Sequence, residues 1–591
     1  MAHLSKDVIS KRNPDQNICN TAIQSGLIVL LAFVVYFPIL KSDFVSIDDP
    51  VLITKNPILR TAEGLKAIWL DPRSQPLYCP IVSTAFWIQY HLWGLQPAGY
   101  HITNILFHAA SAIVLLLILM RLSVPGAWLA SLIFLIHPLQ VESVAWVAEL
   151  KNILSGFFSL ISVWIFFRFN PPDEKQSEPG SHIFYAIALF LFFCALLSKP
   201  TASTVAPALL LVYWWKRGRI IPQDILYIAP MFILGVMMGL LAIWIESSLN
   251  IMEGLNAGNQ GSNNISIIER VLIAGHAIWF YVSKIFWPVH LTCFYSRWKI
   301  NPTALSQYFY PITAIIVIVS LWLRRNKIGR GPITAVLIFA GVLAPFLGFI
   351  DYSTMWYSFA TDHFQYMACI GLIVLASASG VELFGKFGQN LERIGQTSAT
   401  LVILSLSLLS FKQGNFYKHS ENLLINNIKI SPDSPVAQAN IGLSYYQKGQ
   451  LDKAISYYRE AIRLWPGYGE AQNNLGIALM TEGKLEDAAP YFYESLKTNP
   501  KKAMVHFNLG YTLAQMGKLD DALVEFNAGL ALEPQSAEAR YNLGNVYLLK
   551  GNLDAAIQQY MEALRIKPNY AYASESLSYA LAKKNEIQRS Q

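Results

Sequence analysis

Two adjacent carboxylates, Asp48 and Asp49, follow the first long apolar segment of the chain. Acidic side chains beside a bilayer are costly unless they are exposed to water or used by a site. A carboxylate in this loop, residues 41–57, could take a proton from a substrate hydroxyl as that hydroxyl reacts. Asp-Asp-Pro is also an ordinary polar turn. The pair alone favours the turn, so the rest of the chain has to decide between the two interpretations.

The composition indicates a membrane protein. Of 591 residues, 53% are hydrophobic and 14% are charged, and the apolar residues come in long runs typical of membrane spans. The net charge of +7 is mild, and Lys and Arg gather in short loops. That pattern sets membrane topology and excludes a basic surface for nucleic acid. The five cysteines are scattered without metal-ligand spacing, so neither a disulfide framework nor a zinc site is predicted.

The apolar runs predict an all-α polytopic domain with about 11 spans. Residues 21–40 form the first span, retained as an anchor, and its basic leader stays in the cytoplasm, which places Asp48 and Asp49 outside. Residues 271–288 contain His276 and Lys284 and are interpreted as re-entrant, because the later basic loops then remain inside. With this topology the C-terminal domain lies on the same side as the two aspartates.

The C-terminal part is built from repeats. From about residue 434 a 34-residue period appears, with a small residue and a closing proline in every unit. This period predicts four tetratricopeptide repeats, an α-solenoid of paired helices. The predicted divisions are a cytoplasmic tail (1–20), the membrane domain (21–411), a connecting helix (412–433), the repeats (434–569) and a capping helix (570–591).

One asparagine recurs at the same place in every repeat. A row of side-chain amides can hydrogen-bond to an extended peptide, and stacked repeats generally form a protein-binding groove. Asparagine could equally be present because it suits this helix position. The predicted peptide-binding residues are Asn440, Asn474, Asn508 and Asn542.

Three segments, FVSIDDPVLITKNP, GYHITNILFH and HPLQVESVAWVAELKNILS, precede the repeats in this order. The combination resembles the transmembrane and tetratricopeptide-repeat O-mannosyltransferases, and more broadly the GT-C class of polytopic glycosyltransferases that use lipid-linked sugars. The resemblance implies an acidic pair in the first external loop that acts on the acceptor hydroxyl. Asp48 and Asp49 match it, with Asp48 preferred as the base and Asp49 orienting acceptor or phosphate.

The resemblance also implies residues that contact the donor phosphate or the substrate. His137 and Glu142 match the second external loop, whereas the family's arginine is absent and its role would fall to Lys151. Glu149 and Lys151 could instead form a loop ion pair. His101 shares a helix face with Asn104 and His108, for which buried polar packing is the alternative. The remaining candidates are Tyr295, Arg297, His363 (where the family has arginine) and Lys199.

The expected function is transfer of a mannose-like hexose from a polyprenyl phosphate to Ser or Thr of proteins outside the cytoplasm. No glycine-rich nucleotide site is present, which agrees with a donor held in the bilayer. The expected partners are this lipid-linked sugar and an acceptor protein recruited by the repeats, and a divalent metal stays open. The expected location is a bacterial inner membrane, with the endoplasmic reticulum as the alternative. Two other interpretations are a lipid or polysaccharide acceptor, and a non-catalytic membrane-anchored scaffold.

Overall fold

The computed structural model describes residues 14–75, 77–173, 180–248, 265–351, 353–386 and 388–590, and these residues contain helices and turns but no β-strand. The described residues form two compact units that divide between Pro432 and Asp433. The all-α prediction is therefore confirmed.

The first unit carries the apolar segments. Its α-helices are α1 (Pro14–Val35), α2 (Ala62–Leu70), α3 (Pro80–Trp93), α4 (Pro97–Arg121), α5 (Ala127–Ile136), α6 (Gln140–Ala145), α7 (Leu150–Phe169), α8 (His182–Ser198), α9 (Val205–Arg217), α10 (Pro222–Ser248), α11 (Ile267–Phe286), α12 (Phe309–Ile328), α13 (Gly331–Leu343), α14 (Cys369–Lys386), α15 (Gln389–Phe416) and α16 (Ser420–Ile430). Single turns at Phe37–Lys41, Pro50–Thr54, Val147–Glu149, Pro200–Thr204 and Asp362–Gln365 lie in the connections that carry the site.

Several of these helices suit a bilayer. Among the described residues, six helical segments are long and apolar enough to cross it: Pro97–Arg121, Val147–Phe169, Pro222–Ile245, Leu305–Ile328, Cys369–Lys386 and Gln389–Phe416. Shorter apolar helices cover Asn20–Val35, Ala127–Ile136, His182–Ser198 and Gly331–Phe346. Large apolar side chains such as Leu240, Ile315 and Leu408 are exposed on α10, α12 and α15, as expected for surfaces that face lipid. The predicted total of 11 spans and the re-entrant character of residues 271–288, which fall largely in α11, stay predictions.

Polar residues buried on α4 join the helices around the site. The His108 ring lies 2.9 Å from the Tyr366 hydroxyl through Nδ1 and 2.9 Å from the Leu135 carbonyl through Nε2. The Asn104 amide donates to the Val144 carbonyl at 3.2 Å. These bonds satisfy polar groups that water cannot reach, and they fix α4 against the connection that follows α5. The buried-packing alternative describes what these residues do in the structure.

The second unit is a run of helix pairs. Its helices are α17 (Pro435–Gln447), α18 (Leu451–Leu464), α19 (Gly469–Thr481), α20 (Leu485–Thr498), α21 (Ala503–Gln515), α22 (Leu519–Leu532), α23 (Ala537–Leu549), α24 (Leu553–Ile566) and α25 (Ala571–Ser590). A Cβ at Gly442 would lie only 2.8 Å from the Tyr458 ring. The glycine that recurs at this position of each repeat therefore lets the two helices of a pair approach closely. Gly449 has φ of +72°, a left-handed conformation that ends the first helix.

Candidate active site

The Asp49 carboxylate joins two loops of the membrane unit. It is fully buried, and its Oδ2 accepts from the Val45 N–H at 2.6 Å while its Oδ1 accepts from the Ala148 N–H at 2.8 Å. Burial raises the pKa of Asp49 to about 7, against the opposing effect of the two backbone donors. Because both oxygens are already occupied, Asp49 holds the first loop against the second.

Asp48 is the carboxylate that stays available. Its side chain is half-buried, and among the described residues its oxygens have no hydrogen-bond partner. Its carbonyl accepts from the Val51 and Leu52 N–H groups, which begins the turn Pro50–Thr54. Burial raises the pKa of Asp48 and nearby Lys151 opposes that shift. The polar turn and the candidate base are therefore both present, and they use different atoms of the same residue.

Asp49→Ala should destabilise the membrane unit. The substitution leaves the Val45 and Ala148 N–H groups buried without acceptors, and we expect the free energy of unfolding to fall by about 2–5 kcal/mol. Thermal unfolding of purified protein in detergent measures this loss. The control is Asp71→Ala, because Asp71 is exposed and its carboxylate accepts only from the neighbouring Arg73 N–H at 3.1 Å. Equal stability of the two variants would contradict the joining role of Asp49.

A charged network begins at the first turn of α7. Lys151 Nζ lies 2.9 Å from Glu149 Oε1, and the Asn152 amide nitrogen donates to the other Glu149 oxygen. Lys199 Nζ donates to Asn152 Oδ1 at 2.5 Å, which extends the network to the connection after α8. The ion pair that the sequence offered as an alternative is thus present between Glu149 and Lys151, and Asn152 links it to a second cation, Lys199.

Lys199 lies where this network meets aromatic side chains. Its amine is 5.3 Å from the Phe346 ring centroid and 5.9 Å from the Phe364 ring centroid, within the range of cation–π attraction. Burial lowers the pKa of Lys199 to about 8, an effect that Glu149 opposes. Lys199 is therefore a partly desolvated cation near neutral pH and can pair with an anion.

A second pair of acids lies in the turn Asp362–Gln365 and the helix α6. His363 Nδ1 is 2.8 Å from Glu142 Oε1, and the Tyr295 hydroxyl donates to Asp362 Oδ1 at 2.9 Å. Burial raises the pKa of Glu142 and lowers the pKa of His363 to about 3, so burial favours a neutral hydrogen-bonded pair over an ion pair. The other Glu142 oxygen is buried and has no partner among the described residues.

Three candidates lie apart from this cluster. His101 is buried with Nε2 3.2 Å from the Ser42 carbonyl, and His137 is buried with Nε2 2.9 Å from the Ile285 carbonyl. Arg297 is exposed and lies over the Phe359 ring at 4.9 Å. His101 and His137 support neighbouring backbone, and the structure does not bring Arg297 to the carboxylates. Their proposed contacts with phosphate or substrate stay predictions.

Sequence reasoning did not select Asn152 and Asp362 as site residues. Asn152 bridges Glu149 and Lys199, and Asp362 accepts from Tyr295. Both lie inside segments that the motifs already covered, KNILS and ATDHFQYM. Asp362 could have been found there, because it is the carboxylate next to His363. Asn152 gives no such signal, since a lone asparagine at a helix start is an ordinary residue.

An apolar groove opens beside Lys199. Two open cavities, with about 920 Å³ and about 1270 Å³ of empty space, lie next to each other in the bundle and share five lining residues, and together they are called the groove. Those shared residues are Leu160, Val163, Val212, Ile338 and Ile370. At one end the lining includes Lys199, Asn152 and His363. Apolar walls with a cation at one end suit an amphiphile with an anionic head.

The part of the chain that the structure describes holds no group of three or more His, Cys, Asp or Glu side chains arranged for a metal ion. The divalent metal left open by the sequence therefore has no assigned ligand set.

The repeat asparagines have different surroundings. The Asn508 amide donates to Asn473 Oδ1 of the preceding repeat at 3.1 Å, and the Asn473 amide lies 3.4 Å from Asn474 Oδ1. The Asn440 amide donates within its own helix, to the Val436 carbonyl at 2.9 Å. Amides therefore line up between at least two repeats, and their use by a peptide stays a prediction.

The fold and the site together define a class: a helical membrane protein with polar loop residues gathered beside an apolar groove, followed by tetratricopeptide repeats. The profile described as "Tetratricopeptide repeat" matches residues 440–503 and 507–571, which confirms the repeats. The relatives of the chain narrow this class further.

The chain is similar to proteins named protein O-mannosyl-transferases, and the resemblance inferred from the motifs is confirmed. Protein O-mannosyl-transferase F38B6.6 from Caenorhabditis elegans is 22% identical over 77% of this chain and 65% of its own length. TMTC3 from Mus musculus is 23% identical over 74% of this chain and 51% of its own length. TMTC3 from Homo sapiens is 31% identical over 30% of this chain and 20% of its own length. The chain thus spans less than two thirds of the length of the relatives it matches.

Part of the chain is also similar to solved structures of repeat proteins. The crystal structure of YrrB, described as a TPR protein with an unusual peptide-binding site, covers 27% of this chain and 81% of its own length, at 25% identity and a TM-score of 0.25.

Proposed function

We propose that the protein is a GT-C type membrane glycosyltransferase that moves a mannose-like hexose from a polyprenyl phosphate to Ser or Thr hydroxyls of proteins. The observation that carries the proposal is the placement of a free carboxylate and a phosphate-suited cation on one network. Asp49, the neighbour of Asp48, accepts from the Ala148 N–H at 2.8 Å, and the next residue, Glu149, lies 2.9 Å from Lys151. Asn152 links Glu149 to Lys199. Base and leaving group would therefore face each other across a few side chains.

The proposed reaction is a single displacement at the anomeric carbon. The acceptor oxygen forms a bond to C1 of the hexose and its proton passes to the Asp48 carboxylate, while the bond from C1 to the phosphate oxygen breaks. The phosphate keeps the electron pair and leaves as polyprenyl phosphate, beside Lys199 and Lys151. The direction of attack inverts the anomeric centre and needs no sugar bound covalently to the enzyme.

The groove supports a lipid-linked donor. A polyprenyl chain is apolar throughout and can replace the apolar lining's contact with membrane lipid, while its phosphate reaches Lys199 at the polar end. Glu142, with one oxygen unoccupied, would contact the hexose or the acceptor. We assign no role on this path to His101, His137 or Arg297 beyond the predictions above.

The repeats would recruit the acceptor outside the cytoplasm, in a bacterial inner membrane. One contact supports this location of the acceptor site. The connection from α15 to α16 lies next to the loop of Asp48, where the Asp43 N–H donates to the Lys418 carbonyl at 3.0 Å. The connecting helix α16, which belongs to the membrane unit, therefore starts at the face of that unit that carries the site. By the distribution of basic loops, that face is the extracytoplasmic one.

The direct test is transfer from a radiolabelled polyprenyl-phosphate hexose to Ser/Thr peptides by purified protein. Label appearing on peptide supports the proposal, whereas label on lipid or polysaccharide acceptors alone would replace the acceptor class. Folded protein that neither binds nor turns over any donor would contradict the enzyme and favour the membrane-anchored scaffold.

The repeat amides provide a separate prediction. Asn474→Ala combined with Asn508→Ala is expected to raise the peptide KM about tenfold and to leave the donor KM unchanged, because the side-chain amides are lost from the repeats and not from the membrane unit that would hold the donor. Steady-state kinetics with a long peptide acceptor measures the change. Asn527→Ala is the matched control, since Asn527 is exposed and donates to the Leu523 carbonyl of its own helix. An unchanged peptide KM in the double variant would remove the asparagines from the acceptor site.

A further inference from the structure

The short helix α16, together with the residues just before it, contacts the loop that carries Asp48. The Asp43 N–H donates to the Lys418 carbonyl at 3.0 Å, and the Ser46 N–H donates to the Ser420 hydroxyl at 2.9 Å. The same hydroxyl donates to the Phe44 carbonyl at 3.3 Å. The backbone two to five residues before Asp48 is thus fixed by residues more than 370 positions later in the chain.

The middle of α16 contacts a second loop of the site. Asn427 is fully buried, and its amide faces the segment of residues 292–294. With the Asn427 amide assigned the orientation that satisfies its neighbours, its oxygen accepts from the Thr292 hydroxyl and from the Phe294 N–H at 2.9 Å. In the same orientation its nitrogen donates to the Phe294 carbonyl at 3.3 Å. One side chain therefore satisfies both backbone groups of Phe294, as a neighbouring strand would.

That segment leads straight to the acids of the site. Tyr295, the next residue, donates to Asp362 at 2.9 Å. Asp362 is followed by His363, which pairs with Glu142 at 2.8 Å. Asn427 is therefore connected to Glu142 through Phe294, Tyr295, Asp362 and His363. Ser420 is connected in the same way to the backbone that precedes Asp48.

An ion pair in the same region contributes less. His419 Nδ1 lies 2.8 Å from Asp43 Oδ2, but the two side chains are 62% and 66% exposed. Solvent and salt screen such a pair, so the backbone contacts made by Ser420 and Asn427 carry most of the positioning.

We propose that Ser420 and Asn427 are positioning residues for glycosyl transfer. Helix α16 holds the loop of Asp48 in a fixed position relative to Tyr295 and to Asp362, the residue to which Tyr295 donates. This inference rests on the proposed function, because the register matters only if the two sides act on one substrate. Neither residue touches the reacting atoms. The connecting segment between the membrane unit and the repeats is thereby part of the construction of the active site.

The first experiment requires no activity. Hydrogen exchange followed by mass spectrometry compares the full-length wild type with Ser420→Ala, which removes the acceptor of the Ser46 N–H. Exchange in peptides covering residues 43–49 should become about fivefold faster, while peptides of α4 keep the wild-type rate. Unchanged exchange at residues 43–49 would overturn the contact with Ser420 whatever the enzyme does.

The second experiment measures kinetics of Asn427→Ala in the full-length protein. We expect kcat to fall about 10–100-fold while the KM values for donor and peptide stay within about twofold, because the substrates still bind but the base and the second acid pair are misaligned. Thr292→Val should also lower kcat, and the effects of the two substitutions should be less than additive, since both remove the contact between Asn427 and the Thr292 hydroxyl.

Asn415→Ala is the control, because Asn415 is half-buried near the end of α15 and, among the described residues, its amide donates to the Phe411 carbonyl of its own helix, four residues earlier. An Asn427→Ala enzyme with wild-type kcat would overturn the inference and leave the proposed function intact. A fall in activity that merely follows the fraction of folded protein, with kcat per folded molecule unchanged, would also overturn it. Wild-type protein without transferase activity would instead contradict the proposed function.

Discussion

Asp48→Asn is expected to lower kcat for transfer to peptide by about 10²–10⁴-fold, which is the usual contribution of a positioned general base. Asparagine has nearly the same shape as aspartate but cannot accept the proton of the attacking hydroxyl. Among the described residues the carboxylate oxygens of Asp48 have no hydrogen-bond partner, so the substitution breaks no side-chain hydrogen bond within the protein. Donor binding should therefore persist, and single-turnover measurement of sugar transfer from pre-bound donor isolates the lost step.

The control for this substitution is Asp71→Asn. Asp71 is an exposed acid in the connection after α2, outside the charged network, and its substitution should leave kcat within about twofold of wild type. If Asp48→Asn kept more than half of the wild-type kcat, Asp48 would not be the base. Loss of donor binding in the same variant would assign it to the donor phosphate instead.

Lys199→Gln should raise the donor KM about 10–100-fold at pH 7 with little change in kcat. The amine of Lys199 stands at the polar end of the groove, and a charge-assisted hydrogen bond to phosphate is lost when the amine becomes a neutral amide. The matched control is Lys66→Gln, because Lys66 is exposed on α2. Titration with labelled polyprenyl-phosphate hexose measures the affinity directly. A donor affinity equal to that of wild type would exclude Lys199 from the phosphate site.

The pH dependence of the donor KM gives the sign of this effect. Because burial lowers the pKa of Lys199 to about 8, the side chain is a cation below pH 8 and becomes neutral above it. The donor KM of the wild type should therefore rise as pH increases through about 8. Lys199→Arg keeps its charge at these pH values and should move the rise to higher pH. The same alkaline rise in both enzymes would show that another group titrates.

The repeats could be predicted from the sequence, because the same residue types recur every 34 residues and each occurrence supports the assignment. Gly442 and Gly449 have equivalents at fixed intervals, so each assignment is tested several times within one chain. The apolar runs predicted helices equally well, since a bilayer imposes their length. The number that cross the membrane depends instead on short segments such as α9 and α11, where length and charge give opposite indications.

The site was only partly predictable. Asp48 and Asp49 are equivalent in sequence and differ in the structure because Ala148, 99 residues later, donates to Asp49 alone. The motifs brought Lys151, Glu142 and His363 to notice, but the contact between Lys199 and Asn152 depends on the packing of α7 against α8. Long-range packing of this kind leaves no local pattern, and the groove beside Lys199 likewise arises from helices that are distant in the sequence.

The hydrogen bonds of Asp49 and of Ser46 also set an order of assembly during synthesis. Asp49 gains its second donor only after residue 148 has been made, and the Ser46 N–H waits for residue 420. A ribosome that has inserted only the first helices has therefore produced a loop whose buried partners do not yet exist. These contacts are complete only when α15 and α16 have emerged. A nascent chain therefore lacks part of the support for the loop of Asp48 until the repeats begin to be translated.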